Sequence, residues 1–204
     1  MDRMALMFTS AVAGFCIALL LLNRRLLFMR DRRAKAPLIV LTFAVLGNHD
    51  YWAGADAVRP AIRKAGITLL TDDSVRLQME GGTIQITGCD YPWSGATCVV
   101  PESPDGVLRL VLSHTPDNIY RISKQSAHFV FSGHYHAGQL RIPFLGPIVV
   151  PSVYGRRFDH GHFVVHGTHL FVASGVGAAS PPFRLYCEPD IFVVDVTGEA
   201  EGIT

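Results

Sequence analysis

Four short segments of the chain carry side chains that can bind metal ions and transfer protons. They are Gly47-Asn48-His49-Asp50, Ser113-His114, Ser132-Gly133-His134-Tyr135-His136 and Gly138-Gln139. Asn48 offers a carbonyl oxygen, whereas His114, His134 and His136 each offer an imidazole nitrogen. Neutral imidazoles combined with oxygen ligands suit zinc, manganese or iron better than calcium or magnesium. The residue types therefore predict a site for divalent metal ions with Asn48, His114, His134 and His136 as ligands.

The first three segments each begin where a hydrophobic run stops at glycine or serine. The runs cover residues 38–46, 108–112 and 128–131, and their lengths and β-branched residues predict buried strands. A chain that leaves a buried strand through a small residue points its next side chains at one end of the sheet. Nine histidines in 204 residues would give a single His-x-His by chance. Three such segments in order, each after an apolar strand, indicate a site instead.

At these segments the chain resembles the calcineurin-like metallophosphoesterases, and among them a bacterial membrane-associated branch whose last motif reads Gly-His-Thr-His-Gly-Gly-Gln. The resemblance extends from about Leu38 to Asp190 and is carried by residues 45–51, 112–117 and 132–139. Weaker matches follow at residues 172–177, 182–185 and 188–191. It implies an α/β fold of two packed mixed β-sheets flanked by helices. It also implies two divalent metal ions, which would be manganese, iron or zinc.

The resemblance further implies a role for each polar residue of the motifs. Asn48, His114 and His134 would bind the second metal ion, and His136 would bind the first. His49 would be the acid that protonates the leaving oxygen, and Asp50 would orient it. The implied activity is hydrolysis of phosphomonoester, phosphodiester or lipid-linked pyrophosphate bonds.

Two motifs that normally open this family are missing from the chain. The family begins with Asp-x-His, which binds the first metal ion, and continues with Gly-Asp, whose aspartate bridges both ions. Upstream of Gly47 the acidic residues are Asp2 and Asp31, and neither stands in such a motif. We interpret this as loss of a segment between Thr42 and Phe43 and replacement of the first strand. The fold would then be a two-sheet sandwich truncated at its N-terminal strands.

The missing motifs limit the expected activity. A dinuclear hydrolase needs two ions held close together, so that one activates water while both neutralise the phosphate oxygens. We hypothesise that the chain binds at most one divalent ion tightly and is an impaired catalyst. Two alternatives stay open. The first is a non-catalytic, membrane-tethered scaffold that binds metal or phosphate, and the second is a damaged reading frame whose start is not genuine.

Other polar residues near the motifs allow more than one interpretation. Asp159, His160 and His162 could form a substitute ligand set, although we favour residues at the rim of a strand. Asp90 follows a strand, but we do not include it among the ligands. Arg184 could contact a phosphate or form a surface salt bridge.

Residues within the last motif are expected to shape the pocket. Gly138 and Gln139 would form part of its wall. Tyr135 and Ala137 stand where the branch has threonine and glycine, so the pocket is expected to be narrower or differently lined.

The N-terminal part of the chain holds most of the hydrophobic excess. The chain is 49% hydrophobic and 17% charged, and residues 5–22 form an uncharged apolar run. Eighteen residues reach the lower limit for a membrane-spanning helix. A signal peptide would need a cleavage site, and a buried helix would not be apolar on every face. We therefore expect a membrane anchor over residues 1–35 and a phosphoesterase domain over residues 36–204.

Charges and strand edges predict the surroundings of the domain. The basic residues that follow the apolar run predict that the domain faces the cytoplasm from the inner membrane. They are Arg24, Arg25, Arg30, Arg32, Arg33 and Lys35. The formal net charge of +1 gives no general attraction to nucleic acid. The open edge left by a lost central strand would have to be covered by the anchor or by a second copy, so a homo-oligomer is expected.

The remaining pattern predicts further elements. Residues 47–50 would form a loop, residues 56–65 and 116–123 helices, and residues 75–79 and 83–87 a hairpin. Residues 163–173 and 191–196 would be strands, and residues 142–154 a loop or lid over the site.

Overall fold

The computed structural model describes residues 4–10, 16–21, 40–79, 82–180 and 182–196. Nearly all of its regular structure is in strands and short helices. In chain order the strands are β1 (Met4–Ser10), β2 (Cys16–Leu21), β3 (Val40–Val45), β4 (Thr68–Leu69), β5 (Ser74–Met79), β6 (Gly82–Cys89), β7 (Leu108–Ser113), β8 (Phe129–Ser132), β9 (Arg141–Ile142), β10 (Gly146–Pro147), β11 (Gly161–Val165), β12 (Thr168–Val172) and β13 (Phe192–Val196). The α-helices are α1 (Asn48–Ala53), α2 (Ala55–Lys64) and α3 (Ile119–Ile122), and 3-10 turns cover Pro116–Asn118, Ser123–Gln125 and His136–Gly138.

The strands form two main sheets. The first has the order β13-β1-β2-β3-β4, the second has the order β11-β12-β8-β7-β6-β5, and β9 pairs with β10 in a small hairpin. Strands β6, β7, β8 and β12 run parallel to one another. Their carboxyl ends therefore meet at one edge of the second sheet, and β7 and β8 lead directly into the two histidine segments.

The hydrophobic core lies between the two sheets, and helices cover their outer faces. Phe43 and Val45 of the first sheet share one cluster with Ile86, Leu112 and Phe131 of the second. A second cluster joins α2 to the first sheet, and a third packs α3 against the second sheet. Most core residues come from strand positions that the sequence pattern predicts to be buried. The predicted α/β class is confirmed.

Helix α1 begins inside the first motif, where a loop was predicted. Gly47 precedes it in an extended conformation, and the Asp50 carboxylate accepts a hydrogen bond from the Gly47 N–H group at 2.8 Å. Asp50 thus satisfies a backbone donor at the start of the helix, as acidic residues in the first turn commonly do. Gly54, with a φ of +101°, separates α1 from α2.

The apolar run at residues 5–22 does not form the predicted membrane helix in its described parts. Residues Met4–Ser10 and Cys16–Leu21 are antiparallel strands, and β2 pairs along β3 from Cys16↔Val45 to Leu21↔Val40. Across the residues that the structure describes, no helix has the length and apolar character needed to span a bilayer. An apolar run predicts burial but not which element is buried.

The pairing of β2 with β3 has a physical reason. Without it, the N–H and C=O groups along that edge of β3 would lie unpaired beside a buried core, which is unfavourable. The N-terminal segment therefore covers the open edge of β3. This was one of the two predicted ways to cover the edge, the other being a second copy of the chain. The basic residues at 24–35 and the domain boundary at residues 35–36 lie outside the described parts. The inner-membrane location stays a prediction.

Most other elements agree with the sequence pattern. The predicted strand at 163–173 is instead the hairpin β11–β12. His166 and Gly167 both have positive φ values, +49° and +82°, and they form the turn between the two strands. A single glycine within a β-branched run is a weak turn signal, so the pattern alone did not reveal the hairpin.

Candidate metal centre

Three of the predicted ligands meet at the carboxyl ends of the strands. The His114 Nε2 atom lies 3.0 Å from Asn48 Oδ1 and 3.1 Å from His134 Nδ1. Asn48 is the first residue of α1, His114 directly follows β7, and His134 follows β8 after Gly133. Residues separated by 66 and 20 positions in the chain are thus brought into one cluster of donor atoms.

The geometry of this cluster fits one cation. Two ligand atoms about 2.1 Å from a shared metal ion lie about 3.0–3.4 Å apart at angles of 90–109°. Burial and the nearby His134 lower the pKa of His114 well below its usual range. Burial and the nearby His136 lower the pKa of His134 to about 4. Both imidazoles are therefore neutral near pH 7, which is the form that binds metal ions.

The segment that carries His134 and His136, here called the ligand loop (residues 134–139), has an unusual backbone. His134, His136, Ala137 and Gln139 all have positive φ values, between +48° and +69°. Residues other than glycine rarely adopt this conformation, and it persists only where the surroundings hold it in place. Such strain often marks a functional site, so the loop conformation is consistent with a role in binding.

His136 lines the same cavity and is close enough for its charge to lower the pKa of His134. Its Nδ1 atom is buried and has no hydrogen-bond partner in the described parts of the chain. Burial, followed by the charge of Arg184, lowers its pKa. No group of three or more His, Cys, Asp or Glu side chains suited to a metal ion occurs within residues 4–10, 16–21, 40–79, 82–180 and 182–196. The contacts that the structure shows join three donors in one cluster, namely Asn48, His114 and His134.

The cluster opens into a cavity of about 370 Å³. The cavity is lined by the four predicted ligands together with His49, Trp52, Tyr135, Gly138, Gln139, Leu140, Val149, Pro151, Ala179 and Ser180. Among the described residues, no carboxylate lines it. His49 is exposed at its mouth, and its ring lies 5.0 Å from that of Trp52. The His49 imidazole thus lines the same cavity as the cluster and contacts solvent.

Two buried aspartates support the first motif. Asp50, predicted to orient His49, caps α1 through the Gly47 N–H group, and burial raises its pKa. Asp90 is fully buried and accepts hydrogen bonds from the Leu46 N–H group at 3.1 Å and the Tyr51 hydroxyl at 2.9 Å. Asp90 therefore fixes both ends of the Asn48-His49-Asp50 segment. The sequence showed Asp90 only as an acidic residue after a strand.

Asp90 is expected to make stability depend on pH. Burial is the main cause that raises its pKa to about 7, above the value near 3.9 of an unfolded chain. The folded state then binds a proton that the unfolded state does not, so the protonated carboxyl contributes stability that is lost as pH rises through about 7. Between pH 6 and pH 8 this loss amounts to ~1 kcal/mol.

The variant Asp90→Asn tests this contribution of Asp90 to the pH dependence of stability. An amide can still accept from Leu46 and contact the Tyr51 hydroxyl, but it does not titrate. Urea unfolding at pH 6 and pH 8 should show a smaller fall in stability for the variant than for the parent chain. Equal pH dependence in both proteins would contradict the assignment, since the histidine contributions are common to both.

The Asp159-His160-x-His162 segment does not assemble a second ligand set. Asp159 accepts a hydrogen bond from Arg141 at 2.7 Å, His160 pairs with Asp190 at 2.7 Å, and His162 Nε2 lies 2.9 Å from His169 Nδ1. Each side chain thus has a different neighbour. The interpretation of these residues as the rim of a strand agrees with this arrangement.

Residues of the pocket wall are placed by backbone contacts. The Gln139 side chain accepts a hydrogen bond from the Ala179 N–H group at 2.6 Å and donates to the Ala179 carbonyl at 3.4 Å. The Arg184 guanidinium donates to the carbonyl groups of Ser174, Gly175 and Gly177. Arg184 therefore holds a backbone segment, and it forms no salt bridge with any residue that the structure describes.

Trp93 is a further neighbour of the cluster that the sequence pattern did not single out. Its ring lies 5.2 Å from that of His114 and 5.3 Å from that of His134, in edge-on arrangements. The indole therefore covers one side of the imidazole pair and restricts the approach of water. Its place in an irregular loop, 21 residues before His114, left no periodic signal to follow.

Comparison with known proteins finds relatives that are named as phosphoesterases. It is 29% identical over 158 residues to phosphodiesterase YaeI of Escherichia coli. The matched region covers 76% of this chain and 58% of that protein. It is 29% identical over 167 residues to metallophosphoesterase YkuE of Bacillus subtilis, covering 79% and 57%, respectively. A metallophosphoesterase of Aquifex aeolicus is 29% identical over 166 residues, covering 77% and 61%.

The chain thus spans less than two thirds of the length of these relatives. No family model matches the sequence. No solved structure matches it either. The resemblance predicted from the sequence is confirmed to this extent: the chain is similar to proteins named phosphodiesterase and metallophosphoesterase.

Proposed function

We propose that the protein is a metal-dependent phosphoesterase that binds one divalent cation through Asn48, His114 and His134. The observation that carries this proposal is the approach of Asn48 Oδ1 and His134 Nδ1 to within 3.0 and 3.1 Å of His114 Nε2. The names of the relatives, which include a phosphodiesterase and several metallophosphoesterases, support the same reaction class. The two-sheet architecture is proposed to be a truncated form of the family's fold.

The residues of the chain would divide the work of hydrolysis. A bound divalent cation would supply Lewis acidity toward a phosphate oxygen. Asn48, His114 and His134 would hold it, while His49, at the solvent-exposed mouth, would deliver a proton to the departing oxygen. Asp50 and Asp90 would fix the backbone that carries His49. Because the cavity lacks a carboxylate among the described residues, the rate is expected to be low.

Hydrolysis of bis-p-nitrophenyl phosphate with added Mn²⁺ tests this proposal. A phosphoesterase gives a rate above buffer that requires the metal ion, whereas His114→Ala abolishes it. The missing bridging carboxylate favours a second candidate, a non-catalytic scaffold that binds metal or phosphate. A chain that binds Mn²⁺ but gives no rate above buffer would support that candidate.

His49→Ala tests the proton donor separately. General acid catalysis contributes roughly 10²–10⁴-fold, and it matters most when the leaving group is a poor one. The variant should therefore lose little rate with a p-nitrophenyl ester, whose phenolate leaves readily, and much more with an alkyl phosphodiester. His128→Ala is a suitable control, because its Nδ1 atom accepts a hydrogen bond from the Arg109 N–H group at the start of β7 and β8, the opposite end of these strands from the motifs. Equal losses with both esters would exclude His49 as the acid.

Substrate and location are further parts of the proposal. A phosphate attached to a lipid would suit a protein held at the inner membrane, with its globular part in the cytoplasm. The basic residues at 24–35 motivate this placement. Comparing lipid-linked and free phosphodiesters as substrates would test it, since equal rates would remove the preference.

A further inference from the structure

The carboxylate of Asp117 joins two loops that both line the cavity. Asp117 lies in the 3-10 turn Pro116–Asn118, three residues after His114. Its Oδ1 atom accepts hydrogen bonds from the hydroxyl groups of Tyr135 and Ser152, both at 2.6 Å. Its Oδ2 atom accepts the Val153 N–H group at 3.2 Å. One side chain therefore makes three contacts with two separate segments.

The first of these segments is the ligand loop. Tyr135 stands between His134 and His136, and its side chain is only 2% exposed. Thr115 Oγ1 donates a second hydrogen bond to the Tyr135 hydroxyl at 3.4 Å. Because His134 and His136 on either side have left-handed backbones, the loop needs outside contacts to keep this conformation. The buried Tyr135 hydroxyl and its carboxylate acceptor supply such a contact.

The second segment also lines the cavity and is here called the far wall (residues 149–153). Val149 and Pro151 line the cavity, and Ser152 and Val153 are the residues bound to Asp117. The side chains of Val149 and Val153 are largely exposed, at 69% and 79%. Val150 packs on the core beside them, but Ser152 and Val153 are held to the rest of the cavity by their hydrogen bonds to Asp117, which are therefore expected to set their position.

We propose that Asp117 is a positioning residue that holds the ligand loop and the far wall in one arrangement. Through Tyr135 it sets the positions of the histidine ligands, and through Ser152 and Val153 it sets the width of the cavity. The proposal deepens the proposed function and rests on it for the ligand role of His134. Sequence comparison alone treats Tyr135 as a change in the pocket lining, whereas its hydroxyl is directed to Asp117.

Three variants of the full chain separate the two branches of this network. Hydrogen exchange measured by mass spectrometry reports the opening of each segment, and competition with a chelating dye reports Zn²⁺ affinity. Tyr135→Phe should speed exchange in the ligand loop and weaken Zn²⁺ binding, but leave the far wall unchanged. Ser152→Ala should speed exchange in the far wall alone. Asp117→Ala should do both and weaken Zn²⁺ binding about tenfold, as losses of outer-shell partners commonly do.

Matched controls distinguish positioning from a general effect on stability. Asp56→Ala removes an exposed carboxylate, and Tyr120→Phe removes a hydroxyl while keeping a ring that packs on Tyr154 and Phe158. Asp117→Ala must increase the hydrogen-exchange rates of the ligand loop and the far wall more than Asp56→Ala does. Exchange in β7 and β8 must stay slow. Uniformly faster exchange throughout β7 and β8, or no difference from the controls, would overturn the proposal.

The exchange measurement also separates this proposal from the proposed function. If the parent chain binds no Zn²⁺ or Mn²⁺, the proposed function fails. The Asp117 proposal then depends on exchange alone, and a response to Tyr135→Phe and Ser152→Ala in different segments still supports it. If metal binds but Asp117→Ala leaves both affinity and exchange unchanged, the positioning role fails while the proposed function stands.

Discussion

Replacing His114 by alanine is expected to abolish tight binding of the divalent cation. The His114 Nε2 atom is the one that lies near both other ligands, at 3.0 Å from Asn48 Oδ1 and 3.1 Å from His134 Nδ1. Its removal leaves one amide oxygen and one imidazole. The affinity should fall by more than about 100-fold, since changes to outer-shell partners alone cost about 10–100-fold. Isothermal titration with Zn²⁺ or Mn²⁺ measures the change directly.

The number of ions bound per chain is a second quantity that tests the metal site. The parent chain should bind one ion tightly, and elemental analysis after dialysis should give one ion per chain. His136→Ala should leave this tight site nearly intact, because His136 lies outside the three-atom cluster. Circular dichroism must show that His114→Ala is folded, since its side chain is 1% exposed. Two tightly bound ions in the parent chain would contradict the one-cation interpretation.

Gly138→Ala is expected to destabilise the protein strongly and to disturb the ligand loop. Gly138 has a φ of +76°, where a side chain costs about 1–2 kcal/mol. A Cβ atom there would also collide with the Cβ atom of Pro147 and lie 3.0 Å from the Val149 carbonyl oxygen. Overpacking of this kind adds about 1–3 kcal/mol. Urea unfolding should therefore show a loss of several kcal/mol.

Gly106→Ala is the matched control for this variant. Gly106 has a φ of +79°, but a Cβ atom there would have no neighbour within 4 Å. The two variants share the backbone cost and differ only in the collision. Gly138→Ala should therefore lose more stability than Gly106→Ala, and it alone should weaken metal binding. Equal unfolding midpoints would show that Pro147 moves away from the new Cβ atom without a loss of stability.

The approach of Asn48, His114 and His134 to one another was predictable because its signals are short and local. Asn48, His114 and His134 each follow a buried strand through a small residue, and the parallel order of β7 and β8 carries the two histidines to one edge. The pattern of apolar runs also fixed most strands of the second sheet. These inferences need only the spacing of apolar residues along the sequence and the rule that the carboxyl ends of parallel strands meet at one edge of a sheet.

Contacts between distant residues were not predictable in the same way. Asp117, Tyr135 and Ser152 lie 18 and 35 positions apart in their hydrogen-bonded pairs, and no periodic pattern links them. Asp90 gave no signal of its hydrogen bonds to Leu46 and Tyr51. The apolar run at residues 5–22 predicted a helix because apolarity alone does not distinguish a membrane span from strands inside a sheet.

The pairing of β1 with β13 has a consequence for how the chain folds. Phe8 is opposite Phe192 and Met4 is opposite Val196. The first described strand therefore cannot complete its pairing until the last one has been synthesised. During synthesis the first sheet cannot close before nearly the whole chain has left the ribosome. Contacts of such long sequence separation slow folding. Until then, the edge of β1 that pairs with β13 is an open strand edge, and such an edge can pair with other chains.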